Sequence, residues 1–233
     1  MDSPDFPRLL RLAQLSSAVY ETDHAALAAA VTALGLRLVG VAESADCQAM
    51  MVDEAEGQIL VIRGTQVAEH FSPAELLDDA NPFHSDLGAG VRVRAGYWQP
   101  LKALWPQIQA MIDPAKPLTV TGHSLGGVRA AIAPALMPPE IVPVVVAFAP
   151  PKGGNDRFWN LAYAGRPAPI LVGRRDDFAL AWAPADRVVC QPGRILHLTG
   201  TGWEWVPDWP WDDVSIPAHN VEAYVSDLRD LTL

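Results

Sequence analysis

The stretch from Leu118 to Gly127, Leu-Thr-Val-Thr-Gly-His-Ser-Leu-Gly-Gly, constrains this chain more than any other. Leu118 to Thr121 is a short β-like run. Gly122-His123-Ser124-Leu125-Gly126 follows it, and Gly127-Val128-Arg129-Ala130-Ala131-Ile132-Ala133 is small and compatible with a helix. Strand, G-x-S-x-G and helix in that order are the setting of a nucleophile elbow, a tight turn that strains its central residue and lifts that side chain clear of the sheet. Glycines two positions either side let strand and helix pass close together. The hydroxyl of Ser124 then sits at a helix N-terminus, where unpaired N–H groups and the helix dipole favour negative charge. The competing reading is a glycine-rich structural turn. A phosphate loop does not fit, because the elbow has no lysine and the chain no G-x-x-x-x-G-K-[ST].

The flanking patterns supply the rest of a strand–helix alternation. Leu9, Leu12, Ala13, Leu15 and Val19 recur at helical spacing within Arg8 to Tyr20. Thr22 or Asp23 caps a second helix that stops at Gly35. Strands are predicted over Arg37 to Ala42, Gln48 to Val52 and Gln58 to Arg63. In the last of these, Ile59-Leu60-Val61-Ile62 is a continuous apolar run suited to a sheet covered on both faces. From Gln66 to Gly90 the pattern loosens, as expected for either a lid or a decorative surface loop. A small strand near Val91 to Ala95 and a helix over Tyr97 to Ile112, with Pro106 as a kink, lead into the elbow. Beyond it, strands are predicted at Ile141 to Phe148 and Pro169 to Gly173, with one or two helical turns over Asn155 to Tyr163. Asp186 to Cys190 and Arg194 to Leu198 read as a hairpin around Gln191-Pro192-Gly193. Trp203 to Trp211 reads as a loop, and a last helix runs from Asn220 to about Leu231. This alternation predicts one α/β domain over residues 1–233, with a mainly parallel central sheet, helices on both faces and a possible lid at 66–90.

Composition narrows the function. A formal net charge of −10 argues against nucleic acid and against electrostatic docking on anionic lipid, but not against a neutral apolar substrate. No apolar span reaches 18 residues. The acidic, proline-broken start Met1-Asp2-Ser3-Pro4-Asp5 is unlike a signal peptide, so the chain is expected to be cytoplasmic as written, or a mature form that has lost a leader. Cys47 and Cys190 suit two thiols or one long-range disulfide, not a disulfide scaffold or a zinc site.

A serine hydroxyl needs a base to remove its proton, and the base needs an orienting acid. Of the six histidines, only His197 and His219 lie well beyond Ser124. His219 stands in a loop before the terminal helix and is the expected base. His197 alternates within the apolar run Ile195-Leu196-His197-Leu198 and reads as a sheet residue. His123 is expected to point away from Ser124, in a packing or hydrogen-bonding role, and His24, His70 and His84 read as superficial. The acid is expected just past a strand, where Asp177 is the choice and Asp176 the alternative. A solvated charge cluster with Arg174 and Arg175 is the remaining reading. An oxyanion needs two N–H donors. The backbone of Leu125 is one, and Arg63-Gly64-Thr65 after an earlier strand suits the other, with Thr65 adding a hydroxyl. Metal ligands are not expected.

Ile62-Arg63-Gly64-Thr65, Gly122-His123-Ser124-Leu125-Gly126-Gly127, Asp177 with Pro184 beyond it, and the late His219 together resemble the class 3 lipase family, the fungal triacylglycerol lipase-like branch of the α/β-hydrolases. The likeness runs from Leu15 to Tyr224. It implies a Ser124–Asp177–His219 triad, oxyanion donors at Thr65 and Leu125, a lid after Thr65, and cofactor-free hydrolysis of lipid or small carboxylic esters. Contact with a lipid interface would be transient. Two positions depart from the family: Arg94 replaces a histidine in Val93-Arg94-Ala95-Gly96-Tyr97, and Asp177-Phe178-Ala179-Leu180 replaces Asp-x-Val-Pro. Close alternatives are a phospholipase A1 or galactolipase, a thioesterase or an acyltransferase. From a different class, a non-catalytic hydrolase-fold binding protein also fits. Trp203, Trp205, Trp209 and Trp211 either wall an acyl pocket, meet a lipid interface or simply pack their loop.

Overall fold

The computed structural model describes residues 3–45, 47–64, 83–175, 177–181, 190–207 and 219–233. Two helices come first. α1 (Phe6–Ala18) starts where the Asp5 carboxylate accepts the Arg8 N–H at 2.9 Å, and it buries Leu9, Leu12, Ala13 and Leu15. α2 (His24–Ala33) starts with Asp23 accepting the Ala26 N–H at 2.8 Å. It ends at Gly35, whose φ of 73° is the left-handed backbone a helix stop uses. Each such N-cap contributes about 1 kcal/mol.

Three strands follow: β1 (Arg37–Glu43), β2 (Gln48–Glu54) and β3 (Gly57–Ile62). A small separate hairpin pairs β4 (His84–Asp86) with β5 (Arg92–Arg94). Next comes α3 (Ala95–Met111), which continues through both Pro100 and Pro106. β6 (Leu118–His123), α4 (Leu125–Ile132), β7 (Val144–Phe148), α5 (Asp156–Ala162) and β8 (Ile170–Arg174) come in turn. β9 (Arg194–Leu198), β10 (Trp203–Val206) and α6 (Val221–Asp230) complete the described elements.

Eight strands join in the order β1-β2-β3-β6-β7-β8-β9-β10. β3, β6, β7, β8 and β9 are parallel neighbours, while β1-β2-β3 and β9-β10 pair antiparallel. Every residue of β3 and β6 is buried, as a doubly covered sheet requires. Alternation along β3 divides the core: Ile59 and Val61 pack under α1, α2 and α6, while Leu60 and Ile62 pack under α3, α4 and α5. Among the described residues, the three helices α3, α4 and α5 that connect the parallel strands thus share one face. This leaves the carboxyl ends of β6 and β8 aligned on one rim, where an α/β sheet gathers its site.

Three expectations need correction. The hairpin runs from β9 to β10, pairing Leu198 with Trp203 and Ile195 with Val206 around a turn held by Thr199 N–H to Gly202 O at 3.0 Å. Gln191-Pro192-Gly193 is not its turn, and of the expected partner strand Asp186 to Cys190 all but Cys190 lies outside the described residues. Gly193 lies against the Pro169 carbonyl at the start of β8, and Cys190 bridges to Gly154. Accordingly Trp203 and Trp205 are strand residues packed on the first-face core, not loop; Trp209 and Trp211 lie outside the described residues. The seventh strand also begins at Val144, past Pro143, whose missing N–H cannot join a ladder. Neither Cys47 nor Cys190 is in a disulfide.

Candidate active site

Ser124 sits between β6 and α4 at φ 60°, ψ −127°, one of three non-glycine residues with positive φ among those described. Such backbone costs of order 1–3 kcal/mol and persists only where the surroundings enforce it. Its N–H donates to the Phe148 carbonyl at the end of β7 (2.9 Å), and its own carbonyl accepts from Val128 N–H (3.1 Å). The glycines of the motif make that geometry possible. A methyl on Gly122 would lie 2.5 Å from the Ile62 carbonyl oxygen, and one on Gly126 would run into that same oxygen and sit 2.7 Å from the Gly64 nitrogen. Backbone on backbone cannot step aside. Gly126→Ala is therefore expected to destabilise the fold by at least ~3 kcal/mol, a fall of about 10 °C in melting temperature for a domain this size. A calorimetric midpoint equal to that of the parent protein would contradict the packing described here.

The Ser124 Oγ lies 2.6 Å from His219 Nε2, and His219 Nδ1 lies 3.0 Å from both carboxylate oxygens of Asp177. Ser124 is 3% exposed and Asp177 fully buried, so the chain is almost dry. His219 is brought in by the segment that enters α6, two residues before its first turn; Asn220 caps that turn by accepting the Glu222 N–H at 3.0 Å. Asp177 follows β8, with its N–H donating to the Arg174 carbonyl at 3.0 Å. Its neighbour Asp176 lies outside the described residues.

Two further donors, neither predicted from sequence, complete the Asp177 carboxylate. Ala179 N–H donates to Oδ1 at 2.8 Å, and the Tyr224 hydroxyl donates to Oδ2 at 2.8 Å. Burial on its own raises the carboxyl pKa, but the facing His219, the Ala179 N–H and the nearby His123 more than offset it, and Asp177 is held below the usual carboxylate range. Tyr224 is itself oriented, accepting the Arg174 N–H at 3.0 Å. Burial first, and then the Asp177 charge, push its phenol well above the ordinary value, so it remains a donor.

His123 has the packing role expected of it. It is buried, and its ring centroid lies 4.7 Å from that of His219, tilted by 31°, with Tyr224 at 5.7 Å. Burial, helped by His219 and opposed by Asp177, drives its pKa down to about 3, so the ring is neutral. His197 sits on β9 with Nδ1 3.1 Å from Glu204 across the hairpin, a sheet residue as expected. His24 lies at the surface beside Glu43, and His84 is on β4; His70 lies outside the described residues. Among the described residues, His123, Asp177 and His219 bring three ligand-type atoms within 4.8 Å of one another. Both His219 nitrogens already face Asp177 and Ser124, so a cation there would compete with that hydrogen-bond chain.

Of the expected oxyanion donors, Leu125 is the first residue of α4, where a helix N–H has no intrahelical acceptor. Thr65 lies outside the described residues, as do 66–82 of the expected lid. Gly64, immediately before Thr65, abuts the elbow: a methyl on it would approach the His123 carbonyl oxygen to 2.9 Å. Arg94, the departure noted above, is fully buried at the start of α3, with its guanidinium 5.9 Å from the Tyr97 ring centre.

The sequence model of the class 3 lipase family matches residues 59–177, from β3 through the elbow to Asp177, just over half of the chain. The chain belongs to that family. As a class 3 lipase-family member it is a serine hydrolase, and solved structures confirm its fold. It is similar to lipase II from Rhizopus niveus (21% identity, 92% of each chain, TM-score 0.72). It is also similar to the triacylglyceride lipase of Rhizomucor miehei (18% identity, 96% of this chain and 94% of that one, TM-score 0.74). A triacylglycerol lipase from Penicillium expansum matches at 20% identity over 89% of this chain and 85% of its own, with a TM-score of 0.66. These likenesses establish the α/β-hydrolase fold. Comparison with curated proteins by sequence finds no match. Among the described residues, no helix of this family member is long and apolar enough to cross a membrane.

Proposed function

We propose that the chain hydrolyses carboxylic esters of the acylglycerol type through a covalent acyl-enzyme. The observation that carries this reading is the unbroken hydrogen-bond chain from Ser124 Oγ through the His219 imidazole to the Asp177 carboxylate, in a lipase-family chain. Ser124 Oγ attacks the ester carbonyl carbon while His219 Nε2 takes its proton. Asp177 keeps the proton on Nδ1 and stabilises the imidazolium. The oxyanion is met by the Leu125 N–H and by Thr65. His219 then returns its proton to the leaving alcohol, and a water activated by the same nitrogen frees the acid. A neutral lipid ester is favoured over an anionic substrate by the net charge of −10, and the nearly dry setting of Ser124 suits an apolar one. All the chemistry comes from the chain's own side chains and backbone.

The test is a series of p-nitrophenyl esters and triglyceride emulsions of increasing acyl length. Turnover is expected to extend to long-chain acylglycerols. Hydrolysis confined to short, water-soluble esters would replace the lipid-ester reading with that of a simple esterase. No turnover of any ester, together with no fluorophosphonate adduct on Ser124, would leave a binding protein on a hydrolase fold.

A further inference from the structure

The Ser124 and Asp177 hydrogen bonds hold His219 only at its two nitrogens. The ring must also be held in one setting of its two side-chain torsions, because a change in either carries both nitrogens off target. Something must fix the plane of the ring. Among the described residues two aromatic rings lie against it: His123, at 4.7 Å and 31°, and Phe178, at 5.1 Å and 65° in an edge-on arrangement. Both are buried, at 4% and 7% exposure. Each is a chain neighbour of a partner of His219: His123 precedes Ser124 and Phe178 follows Asp177.

We infer that His123 and Phe178 are positioning residues that brace the plane of the His219 imidazole, so that its two nitrogens stay aimed at Ser124 and Asp177. The inference rests on reading His219 as the base. Offset and edge-on aromatic contacts of this kind hold a preferred mutual angle. His123 also suits the task electrically. It stays neutral when His219 takes up a proton, so the brace does not repel the imidazolium formed during turnover. What the position uses is the flat ring and not its polarity. Nε2 of His123 is buried with no hydrogen-bond partner among the described residues, a cost that a hydrocarbon ring would not carry.

The test compares His123→Ala, His123→Phe and Phe178→Ala with the parent protein. The readouts are kcat and KM on a short soluble p-nitrophenyl ester, and the downfield proton resonance of His219 Nδ1–H. His123→Ala is expected to lower kcat by about 10- to 100-fold, the scale of a small misplacement of a reacting group. KM is expected to stay within about twofold, and the resonance to broaden as the ring loosens. Phe178→Ala is expected to lower kcat about tenfold in the same manner. His123→Phe is expected to recover most of the activity lost in the alanine variant and to keep the resonance sharp. If His123→Ala does not fold, His123→Leu, close in volume but not planar, carries the same expectation. Alanine variants with parental kcat would overturn the brace, and so would a phenylalanine variant as poor as alanine. Those outcomes leave the hydrolase reading intact, since they are scored against an active parent. A parent protein without turnover, or an active His219→Ala variant, would instead sink the reading on which the brace depends.

Discussion

Replacing Ser124 by alanine is expected to remove hydrolysis of a p-nitrophenyl ester by at least ~10⁴-fold while moving the melting temperature by no more than about 4 °C. The kinetic loss is that of a missing nucleophile, which in serine hydrolases leaves only the contribution of binding and of the oxyanion donors. The small thermal effect follows from the backbone. Alanine meets the same positive φ as serine, and the glycines that enforce it are untouched. The substitution removes one hydrogen bond, to His219, from a nearly buried hydroxyl. Net effects of that kind are about 1 kcal/mol. Intact-mass analysis after fluorophosphonate treatment provides the second reading, with one adduct on the parent and none on the variant. Turnover surviving in the alanine variant would mean that a different side chain attacks the ester.

Asp177→Asn is the second large effect, with kcat expected to fall by about 10⁴-fold and KM little changed. The reason lies in the count of donors around the carboxylate. Oδ1 already accepts from Ala179 N–H and Oδ2 from the Tyr224 hydroxyl, while both face His219 Nδ1. An amide supplies one oxygen in place of two. Its NH₂ must either displace a donor or face Nδ1, and in the latter case the imidazole shifts its proton to Nε2, where it can no longer accept from Ser124. The same substitution has a signature in pH. The folded-state pKa of Asp177 lies below its ordinary value, so its contribution to stability is present above the ordinary carboxylate range and is lost as pH falls through that range toward the depressed value. His123 acts in the same direction: unfolded it takes a proton near pH 6.5, folded only near about 3, so acid favours the unfolded chain. Melting temperature is therefore expected to fall with pH below about 6.5 in the parent protein. Asp177→Asn should flatten only the part below about 4. A kcat within tenfold of the parent would show that the base does not depend on this carboxylate.

The elbow was legible because every signal for it is local. The strand, the glycines and the small-residue helix lie within sixteen residues, and each follows from steric rules that hold before any tertiary contact forms. Asp177 could not be separated from Asp176 in the same way. Two adjacent residues past a strand differ only in where the loop turns, and that is set by the Asp177 N–H to Arg174 bond and by the arrival of α6. Tyr224 escaped notice for a related reason. At helical spacing with Leu228 it reads as one more core position on an amphipathic helix, and its hydroxyl matters only because α6 lies over the end of β8. The orientation of His123 was more accessible, since Thr119, Thr121 and His123 alternate with Leu118 and Val120 along β6, and the latter pair faces the α3 side. The misplaced hairpin shows the limit of turn chemistry. Gln191-Pro192-Gly193 is the stronger turn signal, but β9 pairs with β8 in parallel before it meets β10, and that long-range partner prevailed.

Ser124, Asp177 and His219 are contributed by three stretches of chain that share no local element, one leaving β6, one leaving β8 and one entering α6. Their meeting requires the sheet to be in register across β6, β7 and β8 and the terminal helix to be docked on its first face. Catalytic competence is thus a late event in the life of this polypeptide. During refolding, ester cleavage would report the moment at which these three stretches are brought together.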